Sequence, residues 1–412
     1  MILHGESPAH GGAVIAHEGG RAVLLYYAMP GETVEAEPAG RRGGLTIARA
    51  ARVLEPSPDR VPARCPHFGE CGGCQWQHAR YERQLEFKRR VVEEAWQGAG
   101  LRLPPDTPFL GMADPWRYRI RGEFEASHAP DGTVALGFHR MRRHSVLPIG
   151  SCPIHDERIE RAMLAFGRAA TELGLRAMQT LLLTVEPTGK GLLWRAQHRG
   201  RRPGAGDAEL AGRVAELLPD LVLLDDSMSL EFWGLTFRVR SDTFVQTNYR
   251  QMLVLYETAL DMLAARPEDA VLDLFAGIGT IGLAVARRAG SVTAIEENPV
   301  AMRLAGVNAR INGVANLRTL PGRVEDALRT VRVGQHSAAV LDPPRAGCDS
   351  TAIAELLRLG PDRLVYVSCE PTTHARDIAL LVRGGYRVRR AAIVDMFPQT
   401  YHVESVALLE RR

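Results

Sequence analysis

A strand–loop–helix unit constrains the fold more than any other feature of this chain. The apolar run VLDLF at 271–275 predicts a buried strand, the glycines that follow predict a tight turn, and 281–288 has the composition of a helix. A second strand is predicted at 291–296. Strands that alternate with helices in this way are typical of βαβ units, whose strands run parallel.

The same alternation continues toward the C-terminus. Asn298 and Pro299 predict the start of another helix, because asparagine caps a helix and proline suits its first position. Apolar strands are predicted at 338–342 and 364–369, each followed by turn residues and a helix. We therefore predict that residues 241–412 form a Rossmann-like α/β domain with a doubly wound parallel sheet.

Two further domains are predicted in the N-terminal part. Short alternating apolar stretches separated by turn residues predict a small β-barrel at 1–58. Residues 59–240 combine a predicted helix at 81–98 with strand-like runs such as 116–121, which indicates a central α+β domain. The glycine- and arginine-rich stretch 198–207 predicts an exposed loop.

The glycine turn predicts a binding site for a nucleotide-like cofactor. Gly277 and Gly279 belong to a G-x-G-x-x-G pattern, and Glu296 ends the next strand, where a carboxylate accepts hydrogen bonds from ribose hydroxyls. NAD or FAD would place pyrophosphate at this turn, but the carboxylate of Asp273 would repel that anion. It suits the sulfonium of S-adenosylmethionine, so this methyl donor is favoured over a dinucleotide and over a turn without a ligand.

Two chemically active side chains follow the predicted strands of the same sheet. Asp342 ends one strand and Cys369 ends the next. Ligands of open parallel sheets bind at the carboxyl ends of the strands, so both residues are predicted to face the cofactor. A lone cysteine is usually a small buried apolar residue, which is our interpretation of Cys348. Its place at a strand end favours catalysis for Cys369.

Four of the six cysteines are candidates for a metal site. Cys65, Cys71 and Cys74 lie close together, with Cys152 as a distant fourth. The chain begins without the basic and apolar regions of a secretory signal, so clustered cysteines favour a metal over disulfides. Four thiolates suit both zinc and an iron–sulfur cluster, and the spacing does not decide between them.

The composition excludes several classes of protein. Hydrophobic residues make up 45% and charged residues 24%, as in an ordinary globular chain. No apolar run approaches the ~18–20 residues that a membrane span needs. A cytoplasmic protein with no membrane contact is predicted, acting as a monomer. The net charge of +3 does not by itself identify a partner.

Five motifs occur in an order that resembles a known family. They are FVQTN at 244–248, DLFAGIGTIGL at 273–283, LDPPRAG at 341–347, SCEPTT at 368–373 and HVESV at 402–406. Together they resemble the RNA uracil-C5 methyltransferases, which form 5-methyluridine in transfer RNA and 23S ribosomal RNA. The N-terminal strands resemble the TRAM barrel that many members carry. Glu370 stands where many members have asparagine.

The resemblance implies a mechanism and a set of residues. Cys369 would add to carbon 6 of the uracil, and Glu404 would later remove the proton from carbon 5. Since a free cysteine with a pKa of ~8.5 is mostly protonated at neutral pH, the site is expected to assist thiolate formation, through nearby positive charge or through proton loss to the substrate. Phe244 would stack on the extruded uridine or its neighbour, with a core position as the alternative. The residues implied to contact S-adenosylmethionine are Gln246, Phe275, Gly277, Gly279, Glu296 and Asp342.

The same resemblance implies a second cofactor. A subset of the family binds a [4Fe–4S] cluster through Cys65, Cys71, Cys74 and a fourth cysteine before Pro-Ile, as in Cys152-Pro-Ile. The cluster is favoured over zinc and over unligated thiols, with a structural role.

RNA is the expected partner, either 23S ribosomal RNA or transfer RNA. The barrel is predicted to contact it. The arginines of the stretch 116–144 indicate either a phosphate-contacting surface or a solvated, charged sheet face; they are Arg117, Arg119, Arg121, Arg140, Arg142 and Arg143. Two other functions stay open on the residues alone. A NAD- or FAD-dependent iron–sulfur oxidoreductase would explain the glycines and cysteines but leaves DPPR, SCEPTT and HVES without roles. A non-catalytic RNA-binding protein would not need Cys369 or Glu404.

Overall fold

The computed structural model describes residues 1–200 and 207–412, so most of the predicted loop at 198–207 lies outside the described residues. The N-terminal region forms a six-stranded sheet with the order β1-β5-β6-β4-β3-β2. Its strands are β1 (Ile2–His4), β2 (Ser7–Pro8), β3 (Val14–Glu18), β4 (Arg21–Tyr26), β5 (Thr33–Arg42) and β6 (Leu45–Glu55). The predicted β-rich character of this region is confirmed.

Helix α1 (Tyr81–Gly98) and the short strand β7 (Phe109–Leu110) lie between the N-terminal and central sheets along the chain. The helix has the predicted bounds. Its Val92 and Trp96 belong to the apolar core beneath the C-terminal sheet, and β7 pairs with an edge strand of that sheet. Part of the stretch 59–240 therefore packs with the C-terminal domain.

The central region is a second six-stranded sheet, with the order β10-β9-β8-β11-β12-β13. Its elements are β8 (Arg121–His128), β9 (Val134–His139), β10 (Val146–Pro148), α2 (Glu157–Glu172), β11 (Met178–Val185), β12 (Gly191–His198), α3 (Asp207–Leu217) and β13 (Val222–Leu224). The strand predicted at 116–121 is wrong except for its last residue. Arg117 has a φ of +50°, a left-handed conformation that interrupts an extended strand.

A hairpin precedes the C-terminal sheet, formed by β14 (Ser227–Phe232) and β15 (Leu235–Arg240). The side chains of Asn308 and Asn312 hydrogen bond to the backbone of β15, at Arg238 and Thr236. This hairpin therefore packs on the C-terminal domain, although the sequence prediction placed it before residue 241.

The C-terminal domain has the predicted alternation of strands and helices. Its elements are α4 (Tyr249–Leu263), β16 (Ala270–Leu274), α5 (Thr280–Ala286), β17 (Ser291–Glu296), α6 (Pro299–Ile311), β18 (Leu317–Pro321), α7 (Val324–Arg329), β19 (Ala338–Leu341), α8 (Ser350–Leu359), β20 (Arg363–Ser368), α9 (Pro371–Arg383), β21 (Tyr386–Val394) and β22 (Glu404–Arg411). The sheet order is β18-β17-β16-β19-β20-β22-β21-β7. Strands β16 to β20 run parallel, and β22 is antiparallel to both of its neighbours.

The strands of this sheet are buried by helices on both faces, which explains their nearly continuous apolar sequences. One apolar core joins the sheet to α4, α5 and α6, and the other joins it to α1, α8 and α9. Among the described residues, none of the helices is both long enough and apolar enough to cross a bilayer.

Candidate active site

The antiparallel strand β22 brings Glu404 to the same edge of the sheet as Cys369. Ser368, the last residue of β20, pairs with Ser405, and Glu404 pairs with Val394 at the end of β21. Cys369 follows Ser368 directly, so the pairing register places these two predicted site residues on adjacent strands. The expectation that β22 begins where its neighbours end is confirmed.

Two carboxylic acids share this edge with Cys369. Asp342 follows β19, and Glu404 is 3% exposed. Desolvation raises the pKa of Asp342 to about 7. Desolvation also raises the pKa of Glu404 well above its ordinary value, and the negative charge of Asp342 adds to that rise while Arg345 opposes it. Burial therefore favours the neutral form of the Glu404 carboxyl group.

The thiol of Cys369 is less acidic than the sequence led us to expect. Desolvation raises its pKa to about 12, and the charges of Glu404 and Asp342 act in the same direction. Arg345 is the cation that lowers it. Burial is the largest cause of this rise, and the one nearby guanidinium does not offset it. Activation of the thiol in the complex with RNA stays a prediction.

A chain of polar side chains links the predicted cofactor residue Gln246 to Asp342. Gln246 Nε2 lies 3.4 Å from the hydroxyl of Tyr256, and that hydroxyl lies 3.4 Å from Asp342 Oδ2. Sequence reasoning missed Tyr256, which lies on α4 at helical spacing from the buried Met252 and Ala259. Such spacing indicates a core position and gives no sign of a functional one.

The glycine loop has a backbone that few residues can adopt. Gly277 and Gly279 have φ values of +56° and +83°, and Phe275 also lies in the left-handed region at +61°. For a non-glycine residue this conformation is strained, which is a feature of ligand-binding loops. A Cβ on Gly282 would lie 2.5 Å from Asp273 Oδ2, so only glycine fits there.

Two acidic residues border this loop. Asp273 is buried, its Oδ2 has no hydrogen-bond partner in the described structure, and desolvation raises its pKa to about 7. Glu296 at the end of β17 accepts hydrogen bonds from the N–H of Gly277 at 3.0 Å and of Asn298 at 2.7 Å. Each oxygen of Glu296 is therefore fixed at the loop with a lone pair left for a ligand.

The environment of Phe244 differs from that of a core residue. Its side chain is 71% exposed, on the segment between β15 and α4. The alternative that Phe244 is a core aromatic is therefore wrong.

The four candidate metal-ligating cysteines line one cavity of about 780 Å³. Cys71 Sγ accepts a hydrogen bond from the N–H of Gly73 at 3.4 Å, and Cys152 Sγ lies 3.1 Å from His155 Nδ1. Desolvation raises the pKa of all four thiols. Among the described residues, no three His, Cys, Asp or Glu side chains are grouped so that they could hold one metal ion.

The predicted RNA-contacting arginines divide into two sets. Arg117 pairs with Glu160 at 2.8 Å, and Arg121 donates to the carbonyl oxygens of Ser241 and Thr243. The guanidinium of Arg119 lies 5.7 Å from the ring centre of Phe397. These three arginines make contacts within the protein, and their contact with phosphate stays a prediction.

The second set consists of exposed arginines beside the N-terminal sheet. Arg140 pairs with Glu70, whereas Arg142 and Arg143 form no ion pair within the part of the chain that is described. They line a groove of about 470 Å³ together with Arg49 of β6.

Comparison with known proteins gives a consistent family. The model of the tRNA (uracil-5-)-methyltransferase family matches residues 215–412. The chain is 35% identical to the 23S rRNA (uracil(1939)-C(5))-methyltransferase RlmD of Alkalilimnicola ehrlichii, over 98% of this chain and 95% of the relative. It is 33% identical to an uncharacterized RNA methyltransferase of Halalkalibacterium halodurans, over 98% of this chain and 95% of that one.

A solved structure has the same fold over the whole length. It is the Pyrococcus abyssi tRNA (uracil-54, C5)-methyltransferase in complex with S-adenosyl-L-homocysteine. The match has a TM-score of 0.76 at 21% sequence identity and covers 99% of each chain.

Proposed function

The chain belongs to the family of RNA uracil-C5 methyltransferases, and from that premise we propose which of its residues carry the reaction and which RNA receives the methyl group. The protein is an enzyme that uses S-adenosylmethionine to methylate carbon 5 of uridine in RNA. This membership decides against the dinucleotide-dependent oxidoreductase and the non-catalytic RNA-binding protein.

Cys369 is the nucleophile of the proposed mechanism. Carbon 5 of uracil is too weak a nucleophile to accept a methyl group unaided. Addition of the Cys369 sulfur to carbon 6 forms an S–C bond and moves the electron pair of the 5,6 double bond toward carbon 5 and the neighbouring carbonyl. The thiol must lose its proton for this step, and Arg345 is the nearby cation that stabilises the thiolate.

Glu404 completes the cycle. After methylation, carbon 5 carries both the new methyl group and a proton. Glu404 removes that proton, the double bond re-forms and the Cys369 sulfur leaves. The observation that supports this assignment is the register of β20 and β22, which sets Glu404 beside the residue after Ser368. Burial raises the pKa of this carboxyl group, which strengthens it as a base once it is ionised.

The glycine loop fits S-adenosylmethionine. The carboxylate of Glu296 is held at the loop with free lone pairs, as a ribose-binding group requires. A cavity of about 510 Å³ beside the loop is lined by Phe275, Glu297, Arg323 and Pro344, which leaves room for the nucleoside. When bound, S-adenosylmethionine supplies an electrophilic methyl group. Gln246 and Asp342 are joined through Tyr256 and lie on the side of the nucleophile. In this proposal they orient S-adenosylmethionine.

Replacement of the base separates the two halves of this mechanism. Glu404→Gln keeps the shape of the side chain, so we expect adduct formation with RNA to continue while turnover falls about 10²–10⁴-fold. A covalent protein–RNA species on ordinary uridine RNA, detected by denaturing electrophoresis, is the expected result. Glu410→Gln on the same strand serves as the control and keeps normal turnover. Normal product release by Glu404→Gln would refute the assignment.

We propose that the cysteine cavity holds a [4Fe–4S] cluster. Cys65, Cys71, Cys74 and Cys152 line one cavity of about 780 Å³, and four thiolates are the ligand set that such a cluster requires. Zinc accepts the same ligand set, so the iron, sulfide and zinc content of the purified protein decides between the two. Cys65, Cys71, Cys74 and Cys152 would hold it and tie the segment after the N-terminal sheet to the central domain.

RNA contacts are assigned to the groove between the N-terminal sheet and the loop 140–144. Arg142, Arg143 and Arg49 line this groove without a carboxylate partner in the described residues, so their charges are available to phosphates. Exposed Phe244 is available to stack on a base near the site. The division into a TRAM-like domain at 1–58, a central domain at 59–240 and a catalytic domain at 241–412 is retained as part of this proposal.

The proposed substrate is a uridine of 23S ribosomal RNA. One whole-length relative, 35% identical, carries the name of a 23S rRNA uracil methyltransferase. The family model carries the name of the transfer RNA enzymes, so transfer RNA is the second candidate. Mapping of 5-methyluridine in both RNAs of a deletion strain distinguishes them. Loss of the modification from transfer RNA alone would overturn the proposal.

A further inference from the structure

The connection between β21 and β22, residues 395–403, leads directly into Glu404. Both of its ends are fixed in the sheet, because Val394 pairs with Glu404. Between them the chain folds over the active-site edge, where Arg345 Nη2 donates to His402 Nδ1 at 3.3 Å. Most of the connection is buried. Its backbone therefore determines where the carboxyl group of Glu404 lies.

Helix α1 holds the first part of this connection through a buried ion pair. Lys88 and Asp395 are both 0% exposed, and Lys88 Nζ lies 2.5 Å from Asp395 Oδ1. Lys88 also donates to the carbonyl oxygen of Phe397 at 3.0 Å, and the hydroxyl of Tyr81 donates to Asp395 Oδ2 at 2.8 Å. Replacing a buried ion pair by apolar residues often leaves a protein equally stable. The main effect of this pair is therefore to fix the position of the connection 395–403.

The middle of the connection is held by the same helix and by residues beside the cysteines. Gln84 Nε2 donates to Gln399 Oε1 at 3.0 Å, and the N–H of Gln399 donates to Gln84 Oε1 at 2.9 Å. The carbonyl oxygen of Gln399 accepts from the N–H groups of Gln75 and Trp76, which follow Cys74. Gln399 has a φ of +71°, a strained conformation that these four hydrogen bonds maintain.

We propose that residues 75–88 form a positioning element for Glu404, with Lys88 and Gln84 acting on the base through the connection 395–403. The inference rests on the proposed role of Glu404. Cys369 depends less on this element, because it follows strand β20 directly, whereas Glu404 directly follows the connection 395–403 that the element holds. A disturbance of residues 75–88 is therefore expected to slow proton removal at carbon 5 more than addition to carbon 6.

Lys88→Met tests the proposal, because methionine keeps the length of the side chain and loses the charge. Turnover on ordinary RNA should fall about tenfold or more, since small displacements of a catalytic group have large effects. Adduct formation on 5-fluorouridine RNA should stay within about twofold of the parent rate, and adduct should accumulate on ordinary RNA. A variant that merely folds less well would lose both activities in the same proportion.

Gln399→Gly is the second variant and covers the case in which Lys88→Met does not fold. Glycine accepts a φ of +71° without strain, so the fold is maintained while the side-chain hydrogen bond to Gln84 is lost. We expect turnover to fall more than adduct formation, as in Lys88→Met, but by a smaller factor.

Arg363→Met is the matched control. Arg363 pairs with the buried Asp269 at 2.5 Å, at the opposite edge of the sheet. Its loss should change both steps equally. The proposal is overturned if folded Lys88→Met and Gln399→Gly slow both steps equally or neither step. Failure of the parent enzyme to be trapped on 5-fluorouridine RNA would instead reject the proposed function.

Discussion

The protein places thiols in two very different surroundings. Cys369 follows a central strand and faces Glu404, Asp342 and one guanidinium. The other four, at 65, 71, 74 and 152, lie on irregular segments and share one cavity. In both places desolvation raises the pKa. The difference lies in the neighbours, since carboxyl groups face Cys369, whereas other thiols and the imidazole of His155 surround the four cysteines.

We infer from this difference that the acids near Cys369 make its addition to the ring reversible. A sulfur that adds to a ring must also leave it, and a thiolate that is too stable would not attack. The four-cysteine cavity brings four thiols together beside the imidazoles of His139, His144 and His155, and four thiols at one cavity suit permanent ligation. The hydrogen bonds around Gln399 connect the two regions through residues 75–88.

Removal of the Cys369 thiol should have the largest effect. Cys369→Ala deletes the nucleophile, so turnover should fall about 10⁴-fold or more, with no adduct on 5-fluorouridine RNA. Methylation is followed by transfer of labelled methyl from S-adenosylmethionine to RNA. Cys348→Ala is the control for loss of a buried thiol. Cys348 lines the proposed cofactor cavity, so this variant should bind S-adenosylmethionine more weakly but keep turnover at saturating cofactor. Residual turnover in Cys369→Ala near that of the control would refute a covalent mechanism.

The dependence on pH is the next largest effect. The Cys369 pKa is raised from 9.0 to about 12, so below that value each pH unit should increase the thiolate, and the rate of adduct formation, about tenfold. Glu404→Gln removes one negative charge that raises this pKa, which should move the profile toward lower pH. The rate of adduct formation in a single turnover, measured between roughly pH 6 and 9 for the parent and for Glu404→Gln, tests both the rise with pH and the shift of the profile. A flat profile would show that RNA binding, and not the thiol, limits the step.

The same shifts predict how stability changes with pH. Asp273 and Asp342 have folded pKa values of about 7 against an ordinary value of 3.8. A raised folded pKa means that the folded state keeps a proton that the unfolded state loses. The contribution of these two carboxyl groups to the free energy of unfolding is therefore complete below pH 3.8 and is lost as the pH rises toward about 7. S-adenosylmethionine, with its positive sulfonium, should reduce this loss.

The strand ends of the site could be predicted from the sequence, and its electrostatics could not. Apolar runs ending in Asp342 and Cys369 indicate two parallel strands, and the topology of the fold class then places Glu404 beside them. The pKa of Cys369 depends on how many acids face it, which is a property of packing. Tyr256 was missed for the same reason, because a buried tyrosine on a helix has the sequence pattern of any core residue.

The central region shows a second limit. The run 116–121 has the composition of a strand, yet its arginines take part in internal contacts with Glu160, Ser241 and Phe397. The sequence alone does not distinguish an arginine that pairs within the protein from one that faces RNA. The partners of Lys88 are equally hidden, since Asp395 lies far along the chain and pairs with it only after the fold forms.

Loss of one of the four proposed ligand thiols should have a smaller effect on catalysis than loss of the Cys369 thiol. Cys74→Ser should remove the brown colour and most of the iron of the anaerobically purified protein, because a [4Fe–4S] cluster needs its thiolates. Turnover should fall about tenfold through the loss of order near Gln399, with adduct formation less affected. Cys348→Ser is the control and should retain the colour. A colourless parent protein loaded with zinc would reject the cluster.

The smallest predicted effect lies in the groove beside the N-terminal sheet. Arg142→Gln or Arg143→Gln removes one exposed charge that has no carboxylate partner in the described residues. Each phosphate contact contributes about 0.7–0.9 to the slope of log affinity against log salt, so each variant should reduce that slope by about this amount. The rate at saturating RNA should not change, because neither arginine lies at the strand ends. Arg213→Gln, which removes an equal charge paired with Glu172, should leave the slope unchanged. An equal change in the Arg213 variant would mean that the net charge, and not this groove, attracts the RNA.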